Sequence, residues 1–516
     1  MKRTKKQALL MFVIMLVFSM TLAACGGSEG STSTEHNSGA ANQGNAAESN
    51  DQAASNVETA VDPAKLDPYT VKLYVPGAPQ ADEAKVEEEI NKYLKEKINA
   101  SLDINFLDWG PWFEKMPVMM ASGEEFDIKL TAAWNNYHSD VAKGAFIPLD
   151  ELIDQYAPNT KATWNPAYFD AVRVKGKIYG IPANKEMAEQ RGWVFRKDLI
   201  DKYKIDLSTV KTPADVEPIL ETIKKNEPNI VPFYNMNANG IRNMTMREAV
   251  ANFTGVYDYD KGQFVYVNDD PSMLEDYKLA HKWYKLGYIN QDASTTKEMD
   301  QQIKAGNVFS FENGYKPNKE AEMAQTYGHE WVYVTFGEPM ITTNSAAGSM
   351  LAISRTSKNP ERAMMFLELL NSDKYLNNLV NFGIEGVHYT KVSDNVIKAA
   401  DNSAYKPNAG WMFGNQMLNY LWDNEDPQKW EKYEAFNKTA KVSPIVGFNF
   451  DTEPVKNEIA AVKNIEDQYA TALAVGAVDP EKFLPEVSKK EKAQGVEKII
   501  EEANKQLEQW KADNNK

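Results

Sequence analysis

Among 516 residues there is a single cysteine, Cys25, so no disulfide can form within the chain and stability rests on burial. Histidine is nearly as scarce. His36, His138, His281, His329 and His388 show no HExxH or other metal-ligand spacing. His138 and Asp140 stand two apart but lack partners in sequence, which argues against zinc, and neither a metal nor a cofactor is expected. No GxSxG, Walker A or GxGxxG motif is present, which removes the signatures of serine hydrolases, P-loop NTPases and dinucleotide enzymes. Positive charge is in deficit: 57 Lys and Arg face 73 Asp and Glu, a net charge of −16. Four of the basic residues (Lys2, Arg3, Lys5 and Lys6) precede Cys25, so the chain beyond residue 24 carries −20. That balance excludes nucleic acid or an anionic membrane surface as a partner, because either needs a basic face.

The unbroken apolar run Ala8 to Phe18 is shorter than the roughly 20 residues a spanning helix needs. With basic residues ahead of it and small residues behind, it describes a secretory signal peptide over residues 1–24. Leu22-Ala23-Ala24-Cys25 resembles the lipobox of bacterial lipoproteins. The resemblance implies lipidation of Cys25 and a mature protein anchored at the extracellular face of the cell membrane. Residues 26–62 contain no aromatic, Leu or Ile, so they cannot offset the entropy of folding. They read as a flexible tether, counted with Cys25 as residues 25–66, whose root-mean-square reach is roughly 30–36 Å.

The rest of the chain reads as α/β. Tyr69 to Val75 alternates, with Val71, Leu73 and Val75 on one face, as a strand does. Val86, Ile90, Leu94 and Ile98 then form a helical stripe, with glutamates crowding its start and lysines its end, as the macrodipole favours. Leu102, Ile104 and Phe106 alternate as a second strand, a short helix is expected over about 113–121, and Phe126 to Thr131 makes a third strand. Short connections in this strand–helix alternation predict a mostly parallel sheet. Val172 to Pro182 is hairpin-like, and Gly192 to Arg196 restarts as a strand. Helices are expected to dominate from Asp215 to Tyr288, around a hairpin at Tyr257 to Val267. Met350 to Ser354 is a strand, Asn359-Pro360 is an N-cap with proline at N1, and long helices close the chain over about 454–475 and 489–510.

Several segments carry a family resemblance: MASGEEFDIKLTAAW (120–134), KGAFIPLDELI (143–153), KGKIYGIPANKE (175–186), SKNPERAMMFLELLNSD (357–373), NFGIEGVHY (381–389) and FNFDTEPVKNEIAAV (448–462). Through them the chain resembles the extracellular solute-binding proteins of bacterial ABC importers. The likeness is to family 1, the maltose-binding-protein-like group, in its Gram-positive lipoprotein branch. The resemblance implies a two-lobed periplasmic-binding-protein-like (type II) α/β fold with mostly parallel sheets flanked by helices. It puts residues 67–186 plus 346–405 in the first lobe and 187–335 plus 406–516 in the second. Crossover segments near 184–193, 335–346 and 405–410 would form the hinge. It also implies a monomer that captures a carbohydrate, an oligosaccharide, between the lobes and delivers it to permease subunits.

Open parallel sheets bind ligands outside the carboxyl ends of their strands. Here those ends carry Trp109, Trp112 and Trp134 in loops, with Asn135 beside them. Indole faces suit the C–H face of a sugar and amides its hydroxyls, although the same rings would equally shield a core edge. Glu186 flanks the first crossover as a ligand contact or a solvated carboxylate. Arg242 is a clamp for a carboxylate or sugar hydroxyl, or a structural salt bridge. Tyr315 follows a strand in FSFENGYK, beside Glu312 and Asn313. Trp411, expected just after the third crossover, is the second lobe's aromatic or hinge packing, and His388 reads as structural. Two other functions stay open: a secreted lipoprotein glycoside hydrolase or lyase, or a carrier of peptides or other solutes on the same scaffold. A hydrolase would need two carboxylates about 5–5.5 Å or 6.5–9.5 Å apart.

Overall fold

The computed structural model describes residues 62–236 and 246–516. The leader, Cys25, most of the tether and Arg242 lie outside the described residues. The described residues begin slightly before the expected tether end at 66. Asp62 Oδ1 accepts from Ala64 N at 3.1 Å to start a 3-10 turn over Pro63–Lys65, and the Leu66 carbonyl takes Asn99 Nδ2 at 2.6 Å.

The alternation read in sequence builds β1 (Tyr69–Pro76), β2 (Ala100–Leu107) and β3 (Ile128–Thr131), with β1 parallel to both neighbours. Val71, Leu73 and Val75 are fully buried against Val86, Ile90 and Leu94 of α1 (Glu83–Ile98). Each such side chain contributes about 1.5–3 kcal/mol. The helix stops at Asn99, whose left-handed φ of 44° an asparagine tolerates. The motif around Asn359 locks the layer above: Asn359 Oδ1 caps Arg362 N at 3.0 Å, and Arg362 Nη1 donates to the carbonyls of Asp67 (3.1 Å) and Asn99 (2.8 Å).

Two five-stranded sheets carry two large cores. The first sheet runs β2, β1, β3, Met350–Ile353, Ile181–Pro182, and the second Lys441–Val442, Trp331–Ile341, Glu189–Arg196, Val308–Glu312, Val231–Phe233. Each sheet is mixed rather than mostly parallel, with two parallel and two antiparallel pairings. The cause is connectivity. Ile181–Pro182 leaves the first sheet at the edge where β1 to β3 end, so Glu189–Arg196 enters the second sheet from that edge and runs against its neighbours. Trp331–Ile341 returns the chain, and Met350–Ile353 is reversed for the same reason.

Residues 183–188 connect the first sheet to the second and residues 342–349 lead back, while the expected third crossover at 405–410 is not a connection between the sheets. Tyr405, Ala409, Met412, Phe413 and Phe436 all pack in the first core; Lys441–Val442 then pairs in the second sheet, and Ile445 and Phe448 cluster with Tyr257 and Phe264, while Val446 between them still packs in the first core. Residues 405–410 are therefore first-lobe packing, and the return to the second sheet is made at Lys441–Val442. Gly447 sits where any Cβ would come within 2.5 Å of the Asp170 carbonyl, so only glycine allows that approach. Asn437 clamps the first crossover, accepting from Met187 N (2.8 Å) and Ala188 N (3.1 Å) and donating to the Lys185 carbonyl (2.7 Å). Among the described residues of 215–288, α-helix covers Glu217–Asn226 and Pro271–Leu286, and Gly255–Asp258 and Gln263–Tyr266 pair as the expected hairpin.

Candidate functional site

The segment after β2 is helical from its first residue: α2 spans Trp109–Ser122, longer than the expected 113–121. Helical periodicity therefore separates two tryptophans that a loop would have left equivalent. Trp112 and Met116, four apart, turn inward, and Trp112 is 1% exposed beneath the buried Lys129, whose Nζ lies 5.4 Å from its ring centroid. Trp109 and Phe113 turn outward, at 44% and 49% exposure. Trp112 is thus a packing residue.

Trp134 stands in a 3-10 turn after β3, half exposed, with Nε1 donating to the Gly348 carbonyl at 2.8 Å. Asn135 beside it is buried, and its Nδ2 has no partner. Trp411 comes from a loop docked on the first core, where Phe413 meets Phe106 of β2 edge-on at 6.4 Å and Tyr405 Oη donates to the Val380 carbonyl at 2.7 Å. Trp411 packs against that same core, so it belongs to the first lobe rather than the second. Each of the three indoles touches the other two. Trp109 and Trp411 stack at 6.4 Å and 7°, while Trp134 lies 6.0 Å from Trp109 and 6.4 Å from Trp411. Three distant segments thus converge on one aromatic platform at the carboxyl-end edge of the first sheet.

Behind Trp411 opens a pocket of about 200 Å3, lined by Asn381, Gly410, Gln416, Asn419, Trp422 and Trp430 among others. None of these residues is read from the sequence as a ligand contact. The available signal was density: Trp411, Trp422 and Trp430 fall within twenty residues that also hold Asn415, Gln416 and Asn419.

The second lobe's corresponding edge is polar. Arg191, near the start of Glu189–Arg196, has a buried Nε without a partner, and its Nη1 lies 3.9 Å from Glu312 Oε1 at the end of Val308–Glu312. Burial pushes the Glu312 carboxyl up to about 7, with Arg191 only partly opposing it. Tyr315 is half-buried between the rings of Tyr333 (5.4 Å) and Phe436 (5.9 Å). Glu186 pairs with Lys316 Nζ at 3.2 Å. Burial alone would raise Glu186, but Lys185 and Lys316 outweigh it and hold the carboxyl below its usual range. Glu186 is accordingly a partnered crossover carboxylate rather than a solvated one.

A second cavity of about 210 Å3 lies between the lobes, lined by Ala133 and His138 from one side and Glu248 to Ala251 from the other. Burial lowers His138 to about 4, so its imidazole is neutral, and Nδ1 has no partner. His388 is structural: Nδ1 accepts from Ile384 N at 2.9 Å, which leaves Nε2 to donate to Asp82 at 3.0 Å. Among the described residues no group of three or more His, Cys, Asp or Glu side chains is placed to hold a metal ion. No described helix is long and apolar enough to cross a membrane.

Comparison with known proteins agrees with this architecture. The family model described as bacterial extracellular solute-binding protein matches residues 45–376, and a domain of unknown function matches 444–512. A Streptococcus pneumoniae protein named carbohydrate ABC transporter substrate-binding protein is 31% identical over 86% of this chain and 91% of its own. The crystal structure of the N-glycan transport solute-binding protein NgtS from S. pneumoniae superposes with a TM-score of 0.78 at 31% identity, covering 86% of this chain and 99% of that one. Its complex with Man5GlcNAc gives 0.64 at 31% identity, covering 86% and 98%. The polygalacturonan/rhamnogalacturonan-binding protein YtcQ of Bacillus subtilis is 22% identical over 81% of this chain and 88% of its own. With a family model spanning more than half its length and a relative of this identity along most of it, the chain belongs to the bacterial extracellular solute-binding proteins.

Proposed function

We propose that this protein is the substrate-binding component of an ABC importer, capturing an oligosaccharide between its lobes and delivering it to the permease. The observation that carries the reading is the convergence of Trp109, Trp134 and Trp411 from three separate segments onto one platform at a strand-end edge. Exposed indole faces cover the apolar face of a sugar ring, and such rings, which would otherwise cost solvation, gain by it. Arg191, Glu312 and Tyr315 supply polar contacts from the other lobe, so a ligand touching both edges favours the closed form. The relative at 31% identity is solved with Man5GlcNAc, and glycans of that kind are the first ligands to test. Acylated Cys25 anchors the protein at the extracellular face of the membrane, with the tether lifting the lobes clear of the headgroups. The protein acts as a monomer and returns its ligand intact, unlike a hydrolase.

The test is titration calorimetry with high-mannose oligosaccharides, N-acetylglucosamine oligomers, fructooligosaccharides and oligogalacturonides, together with small-angle scattering and chromatography of the recovered sugar. Binding at about micromolar affinity or tighter, near −8 kcal/mol, is expected with a smaller radius of gyration and unchanged sugar. Sustained multiple-turnover cleavage would overturn the carrier reading.

A further inference from the structure

Four phenylalanine or tryptophan side chains are exposed among the described residues: Trp109, Phe113, Trp134 and Phe483. Single exposed rings are ordinary, but contiguous ones call for a cover. Three of these meet. Trp134 lies 6.0 Å from Trp109, and so does Phe113, tilted by 32°. Among the described residues the Phe113 ring meets that of Trp109 and neither Trp134 nor Trp411, so it extends the platform outward past Trp109 rather than filling it.

Helical period puts the ring there. Trp112 and Met116 of α2 turn into the core, and Trp109, Phe113 and Pro117, each four residues from the next, share the adjoining face. All three are exposed, and from Trp109 to Pro117 the stripe runs about 12 Å. Gly110 borders it, and nothing lies within 4 Å of the point its Cβ would occupy, so the space beside the rings is open. Glu114 and Lys115, both exposed, supply a polar margin.

Size decides what covers this stripe. A strip about 12 Å long on a helix about 10 Å wide offers on the order of 100 Å2, against about 800 Å2 per partner in a stable protein interface. It is too small to hold a protein. An apolar ring face beside open space and polar groups, continuous with the indoles, instead suits the next residue of a sugar chain already lying on them.

We propose that Phe113 is an outer subsite for a sugar residue beyond those on the indoles, so that the protein selects longer oligosaccharides over short ones. This rests on the carbohydrate reading above and adds the length of chain it favours. Phe113 and Trp109 share one helix of the first lobe, so the contact is the same in the open and closed forms and adds affinity without driving closure.

The experiment titrates the full mature chain and its Phe113→Ala and Phe113→Tyr variants with N-acetylglucosamine oligomers, fructooligosaccharides and high-mannose oligosaccharides, each class from the disaccharide upward. For the class that binds, native affinity should rise with length. Phe113→Ala should lose roughly tenfold for the longest member and stay within about twofold for the disaccharide. Phe113→Tyr, which keeps a ring, should restore the longest member, and scattering should show the same shrinkage on binding in all three proteins. Thermal melts check that the variants fold, as the exposure of Phe113 leads one to expect. Native affinity that does not change with length would overturn the proposal, and so would Phe113→Ala binding the longest member as tightly as the native protein. An equal loss at every length would also overturn it, because Phe113 would then act only by supporting Trp109. Each of these outcomes leaves the carrier reading intact. If no sugar binds the native protein, the carbohydrate reading falls and the subsite with it.

Discussion

Trp109 and Trp112 lie within one helical turn of each other on α2, and truncating each should damage a different property. Trp112 is 1% exposed and roofed by the Lys129 ammonium, so Trp112→Ala opens a core cavity beneath a buried charge. Truncations of this kind cost about 3–5 kcal/mol. For a lobe of this size that lowers the melting temperature by on the order of 10 °C. Trp109 is 44% exposed, and its ring meets Phe113, Trp134 and Trp411 at 6.0–6.4 Å. Aromatic pairs contribute about 0.5–1.5 kcal/mol each when well packed and less at an exposed edge, so Trp109→Ala should cost about 1 kcal/mol of stability. Its effect on ligand affinity should be larger, about 2 kcal/mol or more, which is roughly thirtyfold. Thermal melts and calorimetric titration of the two variants separate these outcomes. The reasoning fails if Trp109→Ala binds sugar with native affinity, or if folded Trp112→Ala loses as much affinity as Trp109→Ala.

The Glu312 carboxyl, raised from 4.5 to about 7, keeps its proton in the folded state over a window where the unfolded chain has lost it, so its contribution to stability falls as pH rises from about 4.5 to 7 and is flat above. Glu312→Gln should gain on the native protein across that window, by at most about 3 kcal/mol, and parallel denaturation curves at pH 5 and 7.5 would refute the assignment. Asn437→Ala leaves two crossover amides, Met187 N and Ala188 N, without their acceptor, at about 1–3 kcal/mol each. Urea denaturation should show that loss, and native stability would mean the clamp does not hold the hinge. Cys25→Ala should abolish labelling by radioactive fatty acid in cells and leave the protein unprocessed or released to the medium; a variant still membrane-bound at mature size would rule out the anchor.

What was legible in the sequence followed from local periodicity. β1, α1, β2 and the cap at Asn359 could be read directly, because each buries one face of a regular element and that spacing survives in any context. Trp112 was misread because the start of α2 is hidden by Gly110 and Pro111, which suggest a loop. Pro111 sits in the first turn, where its missing N–H costs nothing. Trp411 was assigned to the wrong lobe because its place depends on Phe413 meeting Phe106 and on Tyr405 reaching Val380, contacts more than twenty residues apart in sequence. The pocket behind Trp411 was invisible for the same reason: it brings Asn381 together with residues between Tyr405 and Trp430, and nothing in local pattern announces that.

The two edges differ in chemistry, and this bears on how capture becomes closure. The first lobe offers indole and the second an arginine, a raised carboxyl and a tyrosine. A ligand held by the tryptophans alone would bind the open and closed forms equally and shift nothing, however tightly it bound. Moving a population from 1:99 to 99:1 takes about 5.5 kcal/mol of differential affinity. The platform is present in either form, so that difference has to come from contacts completed only when the second edge arrives. Arg191 is suited to the role: its Nη1 stands 3.9 Å from Glu312 Oε1, so a ligand hydroxyl or carbonyl oxygen accepting from the guanidinium replaces a loose contact with a formed hydrogen bond. Such bonds give about 1–3 kcal/mol each, so two or three of them reach the required difference, and one does not. A sugar long enough to bridge platform and arginine should therefore shrink the radius of gyration, while a monosaccharide that fills only the first-lobe edge should bind without closing the protein.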